Sequence, residues 1–159
     1  MQNNLRETVL AAFERFILMP EAHANLRMTQ GKWSIQEILG LMIDSAANNH
    51  ARFVKAQLTD DLIFEGYDQE AWVANQNYAG AQWHDLIILW RQYNLHLEFI
   101  IRQMSETDLT RERQNHNLDK IAWKAVTADK PTTLEYFIKD YISHLKHRLG
   151  QIEEILAQE

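Results

Sequence analysis

The amino-acid sequence predicts an all-α fold, a four-helix bundle in which long crossover loops join some of the helices. In four separate segments the apolar residues recur at spacings of three and four, the pattern of a helix that buries one face. The chain has only five Gly and two Pro in 159 residues, too few for the many turns of an all-β protein. Two of the links between these segments are long, residues 60–80 and 105–130, which is typical of bundles with crossover connections.

The first two long helices have clear limits in the sequence. The first is predicted over Leu5–Leu18, where the apolar stripe ends shortly before Pro20. The second begins after Ser34, because Ser34 and Glu37 have the spacing of a capping box, in which each side chain accepts a free N–H of the first turn. Its apolar stripe continues to about residue 58.

The rest of the chain is predicted to contain two more long helices. Residues 60–80 form a long connection with a short helix near residues 68–74, and the third long helix covers Trp83–Met104. Residues 105–130 are irregular, with 121–126 expected to be extended or buried loop. The last helix runs from Pro131 to Leu156, and the spacing of Thr132 and Glu135 predicts a second capping box at its start.

Composition and charge limit the classes of function. The length suits one domain covering residues 1–159, and the absence of Cys excludes disulfides and thiolate ligands. A net charge of −6 with scattered Lys and Arg argues against a nucleic-acid partner. No segment is apolar enough for a membrane span and the N-terminus lacks a signal-peptide pattern, so we expect a cytoplasmic protein. The broad apolar stripes are compatible with a homodimer.

The last helix carries the densest group of nitrogen-bearing side chains in the sequence. His144 and Arg148 are four residues apart and share a face with Tyr141, which predicts that they point together into the bundle. His147 instead shares its face with Asp140, and this face is predicted to be exposed to solvent. No nucleophile elbow, phosphate-binding glycine loop or paired-carboxylate motif is present, so no catalytic residue is assigned.

Three stretches carry a resemblance to a known family. The segments GKWSIQEILGLMIDSAANNHARF, FEGYDQEAW and YISHLKHRLGQI resemble, in content and order, the DinB/YfiT-like superfamily of metal-dependent hydrolases. The similarity spans the chain from the second helix to the last. It implies a four-helix bundle of up-down-down-up order. It also implies metal-dependent chemistry, since the family is usually described as metal-dependent hydrolases and its characterised members include thiol transferases and isomerases.

The resemblance also implies a metal site, and this sequence departs from it. Family members hold a divalent metal with one His of the second helix and a His pair four residues apart on the last. Those positions are Leu41, His144 and Arg148 here, so His144 is the one family ligand that is kept. Leucine has no donor atom and arginine is a cation. His50 and His96 are expected to meet at the other end of the bundle, too far away to complete the site.

Two interpretations of the function stay open. In the first, the bundle has lost the family metal, needs no cofactor and binds a small molecule. Its pocket residues are Leu41, Asn48, Tyr141, His144 and Arg148, and Arg148 would hold an anionic group through its paired N–H donors. In the second, the protein is a metal-dependent hydrolase or thiol S-transferase that holds zinc or nickel through ligands outside the family set.

Overall fold

The computed structural model describes all 159 residues and confirms the all-α prediction, with helix limits close to those expected from the sequence. The long helices are α1 (Leu5–Leu18), α2 (Ile35–Ala56), α4 (Trp83–Gln103) and α7 (Leu134–Leu156), and the short ones are α3 (Gln69–Gln76), α5 (Glu106–Thr110) and α6 (Leu118–Ile121). Two 3-10 turns, Glu21–Asn25 and Tyr78–Gly80, lie in the connections. No helix combines the length and the apolar composition needed to cross a membrane.

The four long helices form a closed ring in which α1 packs on α4, α4 on α2, α2 on α7 and α7 on α1. The first pair is antiparallel. Phe16, near the end of α1, contacts Trp83 at the start of α4 with ring centroids 5.5 Å apart. Phe13, one turn earlier in α1, has the Arg91 guanidinium 4.9 Å from its ring centroid, further along α4.

Helices α2 and α4 run parallel to each other. At their first turns, Gln36 Nε2 donates to the carbonyl of Ala81, 2.7 Å away. Towards their other ends, His50 and His96 meet with ring centroids 5.1 Å apart, as predicted. Because parallel neighbours need a connection that returns along the bundle, residues 57–82 form a long crossover.

Helix α7 is antiparallel to α2. Phe53, late in α2, contacts Phe137, early in α7, with ring centroids 5.7 Å apart. Leu41, early in α2, lies at one small cleft with Arg148, which is late in α7. The directions of the four helices are therefore up, down, down and up, which confirms the predicted order.

A single cluster of 35 buried apolar side chains fills the centre of the bundle. Trp90, Phe16 and Phe53 are its largest fully buried members. The spacing of apolar residues in α1 also predicts a buried Ile17, and this is wrong, because Ile17 is 46% exposed. Ile17 directly follows the buried Phe16 in the last turn of the helix.

One of the two predicted capping boxes is present. At the start of α2, Glu37 N donates to Ser34 Oγ (3.2 Å) and Ser34 N donates to the Glu37 carboxylate (3.4 Å). The box predicted at α7 is wrong. Thr133, not Thr132, caps that helix by accepting from Tyr136 N (3.0 Å), and a tyrosine cannot return the carboxylate bond. Thr132 pairs its backbone with Arg113 instead.

The crossover is fixed to α2 through one tyrosine. Tyr78 is 5% exposed and its ring lies directly against the backbone of Gly40. Its hydroxyl donates to the Asp44 carboxylate, and its carbonyl accepts from the Gln36 side chain. Gln36, Gly40 and Asp44 are spaced by four residues, so one face of α2 forms the whole docking surface. This contact positions the connection that later forms one wall of the candidate site.

Candidate functional site

A cavity of about 320 Å³ opens between α2, α7 and the two long connections. Its lining residues come from four parts of the chain. They are Ser45, Asn49 and Arg52 of α2; Gly66, Tyr67 and Gln69 of the crossover; Lys120, Ile121, Ala122 and Trp123 of the last connection; and Phe137, Asp140, Tyr141 and His144 of α7.

Arg52 is the buried cation of this cavity. It is 7% exposed and forms no ion pair. One of its donors, Nη2, bonds the Glu65 carbonyl at 2.8 Å, and the guanidinium lies 5.7 Å from the centroid of the Tyr67 ring. Burial lowers the pKa of Arg52 from its ordinary value, although a guanidinium stays protonated in proteins. The cavity is therefore lined by a buried cation that forms no ion pair with a carboxylate of the protein.

Asn49 adds an unused acceptor one turn away on the same helix. It is 6% exposed, and its Nδ2 donates to the Ser45 carbonyl at 2.8 Å. Its Oδ1 has no hydrogen-bond partner in the protein. A buried acceptor left without a partner costs about 1–3 kcal/mol, so such an atom at a cavity wall suggests a ligand that donates to it. Together with Ser45, these residues make the α2 wall polar.

The opposite wall, on α7, is made of rings. Three ring side chains of α7 line the cavity, those of Phe137, Tyr141 and His144. Their spacings of four and three residues place them on one face of the helix. Tyr141 is 5% exposed and donates from its hydroxyl to Asn94 Oδ1 at 2.6 Å. Burial raises the pKa of Tyr141, so the phenol stays neutral. This wall offers aromatic surface and no free charge.

The connection before α7 folds over the first half of that helix and covers one side of the site. The indole ring of Trp123 stacks on His144, with centroids 5.1 Å apart and planes 8° apart. The backbone N–H groups of Trp123 and Lys124 both donate to the Asp140 carboxylate, at 2.8 and 2.9 Å. Asp140 was predicted to face solvent with His147. This is wrong, since the loop covers Asp140 and leaves it 7% exposed; His147 is exposed as predicted.

His144 is a neutral imidazole at physiological pH. Burial lowers its pKa to about 4, and the positive charges of Arg148 and His147 lower it further in the same direction. The ring can accept or donate a hydrogen bond, and it carries no charge towards the cavity. Arg52 and the exposed Lys120 therefore supply the positive charge of the lining.

We expect Asp140→Asn to destabilise the protein by about 1–3 kcal/mol, because one of the two loop N–H groups then loses its acceptor. Trp123 should become more exposed, with a red shift in tryptophan emission. Urea unfolding and fluorescence spectra would measure both effects. The matched control is Asp119→Asn, a nearby exposed carboxylate that should change neither. An equal change in both variants would contradict the anchoring role of Asp140.

The structure brings four of the five predicted pocket residues together. A narrow cleft adjoins the cavity and is lined by Leu41, Tyr141, His144 and Arg148. Two of these residues, Tyr141 and His144, also line the cavity itself. Asn48 lines neither, but a neighbouring pocket on the other side of Tyr67 that Trp72 also lines, and its Nδ2 donates to the Asp44 carbonyl within α2.

Arg148 lies at the edge of the site and does not line the cavity. Its Nη1 donates to Gln151 (3.0 Å) and its Nη2 to Gln69 (3.5 Å), while the guanidinium lies 5.6 Å from the centroid of the Trp33 ring. Two N–H groups of the Arg148 guanidinium therefore already donate to uncharged amide side chains. The buried cation of the cavity is Arg52, on the facing helix.

Sequence reasoning did not single out Arg52 or Trp123. A signal for the α2 wall was present, because Ser45, Asn49 and Arg52 repeat at helical spacing and Asn49 interrupts the apolar stripe of the helix. Trp123 gave no such signal. It lies in an irregular connection, and its position depends on the tertiary contact with Asp140.

The residues present do not fit the metal that the resemblance implies. Leu41 offers no donor atom, and the charge of Arg148 is close enough to His144 to lower the pKa of that imidazole. A cation bound to His144 would meet the same repulsion. No group of three or more His, Asp or Glu side chains in the structure is arranged to hold a metal ion.

The four long helices and their two long connections form a type of four-helix bundle that is also seen in a solved structure. That structure is YfiT from Bacillus subtilis, described as "a probable metal-dependent hydrolase with an unusual four-helix bundle topology". It is similar to this protein with a TM-score of 0.77 and 17% sequence identity, over 98% of this chain and 83% of that chain. No family model and no curated protein matches the sequence. The likeness confirms the YfiT-like fold expected from the sequence.

Proposed function

We propose that this protein binds a small anionic molecule in the cavity between α2 and α7, with Arg52 as the anchor and without a resident metal. The observation that carries this proposal is the buried residue Arg52, which lines the cavity and forms no ion pair with a carboxylate. The proposal keeps the small-molecule-binding function that the sequence favours. It moves the anchor from Arg148 to Arg52.

The cost of burying a charge supports this assignment. Buried charges in proteins are normally paired, because an ion removed from water loses several kcal/mol of solvation. The carbonyl of Glu65 and the ring of Tyr67 compensate Arg52 only in part. A ligand carboxylate would supply the missing charge and accept two parallel N–H bonds from the guanidinium.

The other polar groups of the cavity are compatible with an anion. Lys120 adds a second positive charge at the exposed side. The one acidic residue of the lining, Asp140, accepts a loop N–H on each carboxylate oxygen, which offsets its negative charge in part and leaves a single anion acceptable. The uncharged imidazole of His144 neither attracts nor repels the anion.

The test is calorimetric titration of acetate, benzoate, octanoate and inorganic phosphate into tag-free protein that has been treated with EDTA. At least one anion should bind saturably. Arg52→Gln should weaken that binding by about 2 kcal/mol, or roughly thirtyfold, the usual contribution of a charge-assisted pair. Arg15→Gln, at an exposed arginine paired with Glu153, is the matched control and should bind normally. Binding that survives Arg52→Gln but disappears in Arg148→Gln would return the anchor to Arg148.

A metal-dependent hydrolase or thiol S-transferase with a non-standard ligand set is the second candidate. It is favoured by the fold shared with YfiT and by the proximity of His144 and His147, whose ring centroids are 6.4 Å apart beside the cavity. Metal analysis of tag-free protein before EDTA treatment separates the two proposals. Zinc or nickel at one equivalent, lost in His144→Ala, would support this candidate over metal-free binding.

A further inference from the structure

We propose that the ligand is an aromatic monocarboxylate, held with its ring against α7 and its carboxylate on Arg52. This inference rests on the proposed anion-binding function and deepens it by naming the chemical class of the ligand. It is drawn from the arrangement of the two walls, the size of the cavity and the balance of charge.

The cavity has one polar wall and one aromatic wall. Ser45, Asn49 and Arg52 share one face of α2 by their spacing of four and three residues. Phe137, Tyr141 and His144 share one face of α7 by the same spacing, and α7 packs antiparallel against α2. A ligand between these walls meets hydrogen-bonding groups on one side and ring surface on the other. A flat molecule with a polar edge fits this arrangement.

More rings surround the cavity from the connections. Tyr67 of the crossover and Trp123 of the connection before α7 join the three rings of α7, so five ring side chains line the site. Aromatic pairs in offset or edge-to-face geometry gain more than their buried area alone provides. Trp123 is 39% exposed, stacks on His144 and also contacts His147 with ring centroids 5.1 Å apart, so this indole forms the solvent side of the aromatic lining.

The volume sets the size of the ring system. An engineered protein cavity of about 150 Å³ holds one benzene molecule. The cavity here is about 320 Å³, roughly twice as large. It therefore suits a fused bicyclic ring, or a single ring with substituents, together with a carboxylate.

The charge balance favours a single carboxylate over a phosphate. Arg52 has already given one donor to the Glu65 carbonyl, and Lys120 is exposed. The Asp140 carboxylate lies in the same lining and would repel a second negative charge. No Gly-rich phosphate-binding motif is present in the sequence. One planar carboxylate matches the remaining fork of the Arg52 guanidinium.

The experiment compares three probes in tag-free protein by calorimetry: 2-naphthoate, octanoate and 2-naphthamide. Octanoate keeps the charge without the ring, and the amide keeps the ring without the charge. We expect 2-naphthoate to bind at least about tenfold more tightly than either, since each analogue loses one of the two walls. Binding should also change the tryptophan emission, and Trp123→Phe should reduce that change.

Two variants test the ring contact and the charge contact separately. Trp123→Leu removes a ring from a partly exposed position, and should weaken 2-naphthoate about two- to tenfold while leaving octanoate unchanged. Arg52→Gln should weaken both acids and leave the amide unchanged. The far-ultraviolet circular dichroism of both variants should match the parent protein, which excludes loss of fold as the cause.

The outcomes separate this inference from the proposed function. Equal binding of octanoate and 2-naphthoate overturns the aromatic class and leaves the anion site standing. Equal binding of 2-naphthamide and 2-naphthoate overturns both, because the charge of Arg52 then has no role. If neither acid binds while phosphate does in the anion panel, the aromatic class is wrong and anion binding is retained.

Discussion

Replacing Gly40 by alanine is expected to destabilise the protein by about 2 kcal/mol or more, although alanine is the better helix former. A Cβ atom at this position would fall inside the van der Waals radii of the Tyr78 ring. Overpacking of a filled core costs about 1–3 kcal/mol and occasionally more. The gain in helix propensity, about 1 kcal/mol, offsets only part of that cost.

The ring of Tyr78 cannot easily move away. Its hydroxyl bonds Asp44, its carbonyl bonds Gln36, and the side chain is 5% exposed. Any shift that relieves the clash therefore breaks a buried hydrogen bond on one side or the other. The strain should pass to residues 57–82, which form one wall of the cavity, so ligand binding should weaken as well.

Gly150 provides a matched control on another long helix. It lies in α7, and a Cβ atom there would meet nothing within 4 Å. The same replacement should stabilise the protein by up to about 1 kcal/mol, through helix propensity and the reduced entropy of the unfolded chain. One chemical change thus has opposite signs at two helical positions, and we attribute the difference to the Tyr78 ring beside Gly40.

Urea unfolding followed by circular dichroism would measure both variants. A double-mutant cycle then tests the cause, because in a Tyr78→Ala background Gly40→Ala should no longer destabilise. A loss of stability that persists in that background would place the strain elsewhere. A destabilising effect of Gly150→Ala would contradict the propensity argument.

The fold could be predicted because its elements are defined by local signals. The apolar period marks each long helix, and Ser34 with Glu37 fixes the start of α2 by a contact within four residues. The second capping box failed because a contact distant in sequence decided which residue caps the helix. Thr132 and Thr133 are adjacent candidates, and the choice between them was made by the distant pairing of Thr132 with Arg113.

The candidate site could be predicted only in part, because half of it lies on connections without periodicity. The α7 wall followed from the spacing of Tyr141 and His144. Trp123 and Tyr67 take their places through contacts with Asp140 and Arg52, more than ten residues away in sequence. The spacing of four residues predicted that Arg148 lies on the same face of α7 as His144. Nothing in that pattern showed that Gln69 and Gln151 would accept from it.

We also expect the protein to lose stability between about pH 6.5 and pH 4 through His144. Burial lowers the pKa of this imidazole to about 4, and the charges of Arg148 and His147 add to the effect. A depressed pKa means that the folded protein binds the proton less well than the unfolded chain does, whose histidines titrate near 6.5. The neutral His144 ring therefore contributes fully to the stability of the protein above pH 6.5, and this contribution is lost as the pH falls through 4.

The expected loss of stability follows from how far the pKa of His144 is lowered. This loss is then reduced, because solvent screens the charge of a half-buried ring. A shift of this size corresponds to about 3 kcal/mol for a fully buried group, and we expect about 1–2 kcal/mol here. His144→Gln cannot titrate, so its stability should fall less than that of the parent protein between pH 7 and pH 4. Lys146→Gln, a charge change at an exposed neighbour in α7, should leave the shape of the profile unchanged.

Proton NMR of the His144 ring would read the same property directly. Its resonance should titrate far below the ordinary histidine range. Arg148→Gln should move the pKa of His144 upward, because the second-largest cause of its depression is then removed. The loop should respond as well, since a protonated His144 places a charge under the stacked Trp123 and beside Arg148. A titration of His144 near pH 6.5 would show that the ring is solvated, and the neutral aromatic wall assigned to α7 would then be wrong.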